Sequence, residues 1–387
     1  MRVLIISSSP SHPQNAGDRA RIHTLVNWLK AGGWDVHFLF ISGTERDLPA
    51  MRAFWKDKLY FVFANLTRYT LPVRAANFLK KLFRVEQLRR RLRYGGAMGA
   101  DDQYTPRVAR QIERVLAENH FDVVICAYLF YSKALELLPA STLKIIDTID
   151  AHSIRDKRYL KGAFHTTPQQ EAKALNRADL VLAIQSQEKA YFQTLTSRKV
   201  ILLGHPVAIQ PGRPLREVRR KLLFIGSTYE SNVAAIEYFI GQVLPLVLDA
   251  FPDAELTIAG RVCEKIDDYT HCTKVGQVED LTALYAASDV AINPILAGRG
   301  LKIKNIEALG QGIPLVTTAV GAEGLAEGSG KAFLTGDTAA DFATAVCLLL
   351  SNFDRYCTVS RNAYAFATQY NQGAYAELTE ALERFRR

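Results

Sequence analysis

A short stretch in the second half of the chain combines a glycine-bearing loop, several cations and one carboxylate. Residues 291–325 read AINPILAGRGLKIKNIEALGQGIPLVTTAVGAEGL. An apolar strand leads into a loop with Gly298 and Gly300, and an amphipathic helix that carries Glu307 follows. Loop amides and helix N-termini of this kind bind phosphate. Three cations lie in or beside the loop: Arg299, Lys302 and Lys304. The sequence therefore predicts an anion-binding site here.

Other predicted strands of the second half end in groups that suit the same ligand. Arg261 follows a strand that ends at Ala259, and a guanidinium there can bind phosphate through two hydrogen bonds. Glu307 lies beyond the glycine loop, where a carboxylate can accept both hydroxyls of a ribose. The alternatives are a surface arginine and a solvated helix residue. The combined pattern favours a nucleotide site.

Apolar strands alternate with helical patterns along the chain, which is typical of α/β domains with parallel sheets. In the first half, strands are predicted at Val3–Ser7, Asp35–Ile41, Val123–Ala127, Lys144–Asp147 and Leu180–Ile184. In the second half, they are predicted at Lys221–Ile225, Glu255–Ala259, Thr273–Val275, Val290–Pro294 and Leu315–Thr318. We therefore expect two doubly wound, Rossmann-like sheets, which bind ligands at the carboxyl ends of their strands.

The length of the chain and one segment rich in proline and glycine predict two domains. Its 387 residues exceed one ordinary core. The segment Gly204–Arg220 is rich in proline and glycine and is interpreted as a linker. We expect domains at 1–205 and 206–357 that face each other across a cleft.

The second half of the chain resembles the nucleotide-sugar-binding domain of GT-B glycosyltransferases, in particular the retaining family 4. The resemblance rests on the segment LTALYAASDVAINPILAGRGLKIKNIEALGQGIPLVTTAVGAEGL, which has the family's strand, glycine loop, Glu-bearing helix and Gly-x-Pro turn. In the first half, residues 8–21, 147–155 and 178–180 also fit the family. The resemblance implies a GT-B fold, in which the first domain binds the acceptor and the second the donor. It also implies that the last helix, 358–387, packs back on the first domain.

The resemblance further implies the residues of the donor site. Arg261 and Lys302 would neutralise the diphosphate as catalytic groups, Gly17 would let the first loop approach it, and Glu307 would hold the ribose. The donor-binding set is then Gly17, Gly226, Ser227, Arg261, Gly276, Val278, Arg299, Gly300, Leu301, Lys302 and Glu307. No metal and no cofactor are expected, because lysines and arginines can stabilise a leaving nucleoside diphosphate.

One position departs from the family pattern. The family has two glutamates eight positions apart; Glu307 matches the second, and Arg299 occupies the place of the first. An arginine cannot accept hydrogen bonds from sugar hydroxyls. We interpret Arg299 as a sign of altered donor specificity. Binding of an acidic sugar or a phosphate, and loss of activity, are the alternatives.

The resemblance assigns the acceptor to the first domain. The family commonly has a histidine at the end of one strand there, where this chain has Ala127 and Tyr128. His152 is the nearest histidine at a strand end and can donate to a hydroxyl or phosphate as a third catalytic group. A loop histidine without a role is the alternative. The expected acceptor-binding residues are Asp18, Arg19, Tyr128 and Asp150.

The reaction implied is transfer of a sugar, with retention of its anomeric configuration, from a nucleotide diphosphate sugar to an acceptor hydroxyl. No carboxylate stands out as the covalent nucleophile of a retaining hydrolase. A sugar-nucleotide epimerase and a catalytically inactive sugar-nucleotide or glycan-binding subunit are the competing functions.

Positive charge is concentrated in one stretch of the first half. Twelve lysines and arginines lie between Arg52 and Arg93, against Asp57 and Glu86, whereas the whole chain has a net charge of +9. Within 72–94 the apolar residues recur at helical spacing, so we expect a basic amphipathic helix. Such a helix can lie on an anionic membrane and would suit a lipid-linked acceptor in surface glycan assembly. Five preceding aromatic residues are expected to anchor it: Phe54, Trp55, Tyr60, Phe61 and Phe63.

Two alternatives to a membrane remain for this basic stretch. One is a helix packed on the core with a solvated charged face, and the other is binding to DNA or another polyanion. The first residues, MRVLIISSSP, are predicted to form a buried strand rather than a signal peptide. Five scattered cysteines favour reduced thiols, so we expect a cytoplasmic protein that can associate with the inner face of the membrane.

Overall fold

The computed structural model describes residues 1–64, 98–154, 166–210, 217–278, 280–298 and 300–386. These residues form two compact units. The first unit contains Met1–Leu202 and the chain from Ala381 onward, and the second contains Leu203–Glu380. The first division lies slightly before the predicted one at 205, and the chain returns to the first unit at 381 rather than at 358.

The first unit is built on a parallel seven-stranded sheet with the order β3-β2-β1-β4-β5-β6-β7. Its strands are apolar on both faces because helices cover both sides of such a sheet. They are β1 Arg2–Ser7, β2 Asp35–Ser42, β3 Leu59–Phe63, β4 Val123–Ala127, β5 Leu143–Asp147, β6 Leu180–Ala183 and β7 Lys199–Leu202. The helices are α1 Gly17–Ala31, α2 Leu48–Trp55, α3 Pro106–Glu118, α4 Pro168–Leu175 and α5 Ser186–Leu195.

The second unit has a parallel six-stranded sheet with the order β10-β9-β8-β11-β12-β13. Its strands are β8 Lys221–Ile225, β9 Glu255–Ala259, β10 Cys272–Gly276, β11 Val290–Asn293, β12 Leu315–Thr317 and β13 Leu334–Thr335. Its helices are α6 Glu230–Tyr238, α7 Leu244–Ala250, α8 Thr282–Ala287, α9 Ile303–Gly310, α10 Ala339–Ser351 and α11 Phe353–Gly373, with α12 Ala376–Arg386 as the last helix of the chain. The predicted fold class of two doubly wound α/β sheets is therefore confirmed.

Three strands and one helix break were not predicted from the sequence. β3 and β7 lie at the two edges of the first sheet. β13 has only two residues, which is too short for a recognisable apolar pattern. The expected single helix at 358–387 is two helices, α11 and α12. The end of α12 belongs to the first unit, where Arg386 donates to the Gly32 carbonyl at 3.4 Å and its guanidinium lies 4.1 Å from the Trp34 ring centroid.

The aromatic residues predicted to anchor a membrane instead belong to the fold of the first unit. Trp55 is 2% exposed and donates from Nε1 to Ser11 Oγ at 2.8 Å. β3 pairs along its length with β2, and Tyr60 packs against the core. The anchoring role predicted for Trp55 is therefore wrong, because its ring is not available to a membrane. Residues 65–97, which hold most of the basic stretch, lie outside the described residues.

One helical stretch of the described chain, Glu230–Ala250, is long and apolar enough to span a membrane. Several of its side chains belong to the core of the second unit, among them Ile236, Phe239 and Val247. The stretch also carries Glu230, Glu237 and Asp249. Of the apolar window in this stretch, 33% is buried inside the structure.

The carboxyl ends of β8, β9 and β10 are joined through the backbone of three glycines. Gly260 N donates to the Gly276 carbonyl at 2.6 Å, and Val262 N donates to the Gly226 carbonyl at 3.1 Å. Gly260 has a φ of 92°, and a Cβ atom there would lie 2.2 Å from the Gly226 oxygen. Only glycine fits this position without displacing the backbone.

We expect Gly260→Ala to lower the free energy of unfolding by about 3 kcal/mol or more, because it adds backbone strain and a clash with a carbonyl. Gly241→Ala is the matched control, since a Cβ atom at Gly241 would meet nothing within 4 Å. Urea denaturation followed by circular dichroism measures both variants. Equal stability of the two variants would contradict this account.

Candidate functional site

The candidate donor site lies at the carboxyl ends of the strands of the second sheet. β8 and β11 are neighbours in this sheet, and the strand order reverses between them. Such a switch point leaves a crevice between the loops that follow the two strands, where doubly wound sheets bind ligands. The loop after β8 contains Gly226 and Ser227, and the loop after β11 leads into α9.

A chain of side-chain hydrogen bonds links the two sides of this crevice. Asn232, in the first turn of α6, donates from Nδ2 to Ser227 Oγ at 3.0 Å. Lys304, in the first turn of α9, donates from Nζ to Asn232 Oδ1 at 2.8 Å. The Lys304 ammonium also lies 4.6 Å from the centroid of the Phe224 ring. Ser227 thus belongs to a polar group with Lys304, one of the cations of the predicted anion site, and with Asn232, which was not assigned to the site from the sequence.

The position of α9 is set by a buried amide. Asn305 is fully buried and donates from Nδ2 to the Gly321 carbonyl at 2.8 Å and to Thr317 Oγ1 at 3.3 Å. Its Oδ1 accepts a hydrogen bond from Asn293 Nδ2 at 2.8 Å. Thr317 Oγ1 donates in turn to the Asn293 carbonyl at 2.8 Å. Both strand ends, β11 and β12, are therefore tied to the first turn of α9.

Lys302 and its loop are mostly buried. Lys302 precedes α9, is 9% exposed and donates from Nζ to the Gly300 carbonyl at 2.8 Å. The same ammonium lies 3.8 Å from Glu323 Oε2. Leu301 is 8% exposed. Arg299, the residue interpreted as the determinant of donor specificity, lies outside the described residues.

Glu307 and Lys304 have perturbed titration behaviour. Burial raises the pKa of Glu307 to about 6, against the opposing effect of the Lys304 charge. Burial lowers the pKa of Lys304 to about 7; the Lys302 charge adds to this shift and Glu307 opposes it. Glu307 is therefore not the freely solvated helix residue considered as its alternative. Perturbed groups of this kind at a ligand crevice are typical of functional sites.

The remaining predicted donor residues line the same edge of the sheet. Gly226 and Gly276 belong to the glycine backbone connections described above, and Gly276 has a φ of 70°. Arg261 begins the turn after β9, and its guanidinium pairs with Glu264 at 3.2 Å. Val278 is partly buried in the loop after β10. These residues therefore lie at the same carboxyl edge of the second sheet at which α9 begins. The side-chain hydrogen bonds at the crevice itself involve Ser227, Asn232 and Lys304.

In the first unit, the loop after β1 leads into the N-terminus of α1. Gly17 is the first residue of α1 and is exposed. Asp18 accepts a hydrogen bond from Ser9 Oγ at 2.5 Å. Arg19 makes two hydrogen bonds of 3.1 Å to the Asp47 carboxylate. Asp18 and Arg19, predicted to bind the acceptor, therefore hold their own loops in this structure.

Tyr128 and His152 come together at the carboxyl ends of β4 and β5. Tyr128 has a φ of 67°, and its ring centroid lies 5.6 Å from that of His152. Phe130 lies 5.3 Å from the same imidazole, which is 2% exposed. The structure thus brings these two predicted residues together within an aromatic environment. Asp150, two residues before His152 in the loop after β5, is partly buried.

Two buried glutamates hold the backbone around His152. Glu171 accepts hydrogen bonds from His152 N at 2.9 Å and Ser153 N at 3.3 Å. Glu188 accepts from Ala151 N at 3.3 Å. Burial raises the pKa of Glu171 above its usual range and that of Glu188 to about 8, where the Asp150 charge adds to the shift. Neither glutamate was assigned a role from the sequence.

A buried ion pair occupies Asp147, which lies at the end of β5. Arg21 donates from Nη2 to Asp147 Oδ1 at 2.7 Å and from Nε to Oδ2 at 3.0 Å, and both side chains are almost fully buried. Asp147 is thereby committed to Arg21 rather than to a ligand. Within the described residues, no group of three His, Cys, Asp or Glu side chains is arranged to hold a metal ion.

The residues missed from the sequence had only weak local signals. Glu171 and Glu188 follow predicted loops at helical positions and look like solvated charges. Asn232 and Asn305 are polar residues on otherwise apolar helix faces, which is the signal that could have identified them. Their partners are distant in sequence, so the spacing alone does not reveal the hydrogen bonds.

We expect Glu188→Gln to stabilise the protein at pH 8 and to change its stability little at pH 5. A carboxyl group whose pKa is raised on folding stabilises the folded state below its unfolded pKa, and that contribution is lost as pH rises through the folded value of about 8. Glutamine stays neutral and can still accept from Ala151 N. The melting temperature should rise by about 2–4 °C for each kcal/mol gained. Glu383→Gln, at an exposed position of α12, is the control, and the same small shift in both variants at pH 8 would refute the prediction.

One family model matches part of the second unit. Residues 219–352 match the model described as glycosyl transferases group 1. A Klebsiella pneumoniae protein, described as an uncharacterized 44.6 kDa protein in the cps region, is 26% identical over 158 residues, which cover 38% of this chain and 41% of that protein. The chain therefore spans less than half of the length of this curated relative.

Solved structures resemble the whole chain. Sucrose-phosphate synthase from Thermosynechococcus elongatus has 16% identity and a TM-score of 0.71, with 99% of this chain and 98% of that chain covered. A variant of S. aureus TarM has 10% identity and a TM-score of 0.71, with 100% of both chains covered. Anabaena HepE, in complex with UDP and glucose, has 12% identity and a TM-score of 0.64, with 98% of this chain and 99% of that chain covered.

The solved structures are too distant in sequence to establish more than the fold, whereas the family model matches the very strands and helices that build the candidate donor site. The chain therefore has the fold of the GT-B glycosyltransferases, and its residues 219–352 match the model of the group 1 glycosyl transferases.

Proposed function

We propose that this chain is a retaining, metal-independent glycosyltransferase that moves a sugar from a nucleotide diphosphate sugar to an acceptor hydroxyl. The observation that carries the proposal is the grouping of Lys302, which immediately precedes α9, with Lys304 and Glu307 on α9, the helix that follows β11 at the switch point of the second sheet. This helix lies inside the segment that matches the group 1 model. Cations suit a diphosphate, and a carboxylate suits ribose hydroxyls.

The comparisons support a uridine nucleotide as the first donor to test. HepE and TarM were solved with UDP, and a pneumococcal O-GlcNAc transferase of similar fold was solved with UDP and GlcNAc. The cps region named for the Klebsiella relative supports a role in surface glycan assembly. Arg261, His152, Asp18, Arg19, Asp150 and Tyr128 keep their proposed roles in donor, catalytic and acceptor contacts.

In the proposed reaction, the leaving diphosphate oxygen stays near the acceptor hydroxyl and takes its proton. The cations on α9 stabilise the charge that develops on the leaving group. Glu307 holds the ribose and so fixes the position of the diphosphate. This course places the acceptor and the leaving group on the same face of the sugar, which is what retention requires.

The proposal is tested by slow hydrolysis of a panel of UDP, GDP, dTDP and ADP sugars in the presence of EDTA, with release of nucleoside diphosphate as the measurement. We expect one donor class to be hydrolysed. Glu307→Ala should reduce kcat/KM for that donor by roughly tenfold or more, because a hydrogen bond to a charged group is lost. Lys221→Met, at the amino end of β8, is the matched control. Measurable donor binding without turnover of any sugar would favour the inactive binding subunit. Arg299 would then be a sign of lost activity rather than of altered donor specificity.

Membrane association at the cytoplasmic face is part of the proposal and rests on the charge of the sequence. The basic stretch 52–93 would attract anionic lipid, at about 1 kcal/mol for each cation near the surface. Sedimentation with anionic and neutral liposomes tests this: we expect binding to the anionic vesicles that weakens with salt. Equal binding to both vesicle types, or to neither, would remove the membrane and the lipid-linked acceptor from the proposal.

A further inference from the structure

A hydrogen bond crosses the switch point of the second sheet. β8 and β11 are neighbours there, and the chain continues from β8 to β9 on one side and from β11 to β12 on the other. Asn232 belongs to the helix after β8, and Lys304 belongs to the helix after β11. The 2.8 Å bond from the Lys304 ammonium to Asn232 Oδ1 therefore spans the crevice itself.

The surroundings of the Lys304 ammonium compensate its charge weakly. Its hydrogen-bond partner is a neutral amide oxygen, and its aromatic neighbour is the Phe224 ring. Glu307 is the carboxylate whose charge favours the ammonium, whereas burial and Lys302 disfavour it and bring its pKa to about 7. An ammonium held in this way gains more from an arriving anion than a solvated one, because little water screens the new interaction.

Lys302 is placed differently, although it lies only two positions earlier in the chain. Its ammonium donates to the Gly300 carbonyl within its own loop and lies 3.8 Å from the Glu323 carboxylate. The charge of Lys302 is thus partly balanced by Glu323. The two lysines face different neighbours, so binding of an anion by Lys302 would not by itself imply that Lys304 binds the same anion.

We propose that Lys304 binds the diphosphate of the donor at the switch point and that Asn232 is a positioning residue that aims the Lys304 ammonium at it. This inference rests on the proposed function, because it takes a nucleotide diphosphate as the ligand. When the diphosphate binds, the Lys304 ammonium donates to a phosphate oxygen, either in place of Asn232 Oδ1 or in addition to it. The hydrogen bond to phosphate is the stronger one because both partners are charged. The α9 N-terminus adds backbone amides on the same side.

The test is isothermal titration calorimetry of the full chain with UDP, GDP, dTDP and ADP. For the diphosphate that binds best, we expect Lys304→Met to weaken affinity roughly 10- to 100-fold, as for loss of one hydrogen bond to a charged group. Lys304→Arg should recover part of that loss because it keeps the charge. Lys221→Met removes the same charge at the opposite end of β8, where Lys221 pairs with Glu255, and should leave affinity unchanged.

The positioning role of Asn232 has its own variant. Asn232→Asp keeps the shape and offers Lys304 a carboxylate, so we expect the melting temperature to hold or rise while diphosphate affinity falls at least several-fold. Because the new carboxylate also repels a diphosphate directly, Asn232→Leu, which removes the amide without adding a charge, is measured beside it, and a loss of affinity in both variants assigns the effect to the lost partner of Lys304. Unchanged affinity in Asn232→Asp would therefore overturn the positioning role.

The outcomes separate this inference from the proposed function. If the unaltered chain binds a diphosphate and Lys304→Met binds it equally well at equal stability, the inference fails and the proposed function stands. If Lys304→Met does not fold, Lys304→Gln and Lys304→Arg are compared instead, and equal affinity for both contradicts the need for a charge. If the unaltered chain binds none of the four diphosphates, the proposed function fails and the inference fails with it.

Discussion

The buried side-chain amide of Asn305 is the interaction on which the candidate donor site depends. It joins the start of α9 to the ends of β11 and β12 through Asn293, Thr317 and Gly321. Each buried amide or hydroxyl left without its partner would cost about 1–3 kcal/mol. The arrangement therefore holds α9 in one register, and with it Lys302, Lys304 and Glu307.

The two units hold their functional loops with opposite chemistry. In the first unit, the carboxylates of Glu171 and Glu188 accept hydrogen bonds from three successive backbone amides around His152. In the second unit, neutral amides and hydroxyls contact backbone carbonyls around α9. Glu323 lies near Lys302, but the groups that fix α9 to the strand ends are neutral and do not compete with an anionic ligand for the ammonium of Lys304.

Burial sets the charge state of the groups at both loops. It raises the pKa of Glu188 and Glu307 and lowers that of Lys304, because each ion loses water that its neighbours only partly replace. These perturbed groups are sensitive to an incoming charge. A diphosphate at the second crevice would favour protonated Lys304, and a neutral acceptor in the first unit would leave Glu188 protonated.

The sequence by itself determined the two parallel sheets, the positions of most of their strands and the stretch predicted to carry the anion site. These features follow from apolar runs, glycine loops and their spacing, which are local properties. The sequence also pointed to Lys302, Glu307 and the neighbourhood of His152. Tertiary structure alone decided that Trp55 lies in the core, that Asp147 pairs with Arg21 and that Lys304 reaches Asn232. Those partners are far apart in the chain, and a charged or polar residue gives the same local pattern whether solvent or a distant side chain satisfies it.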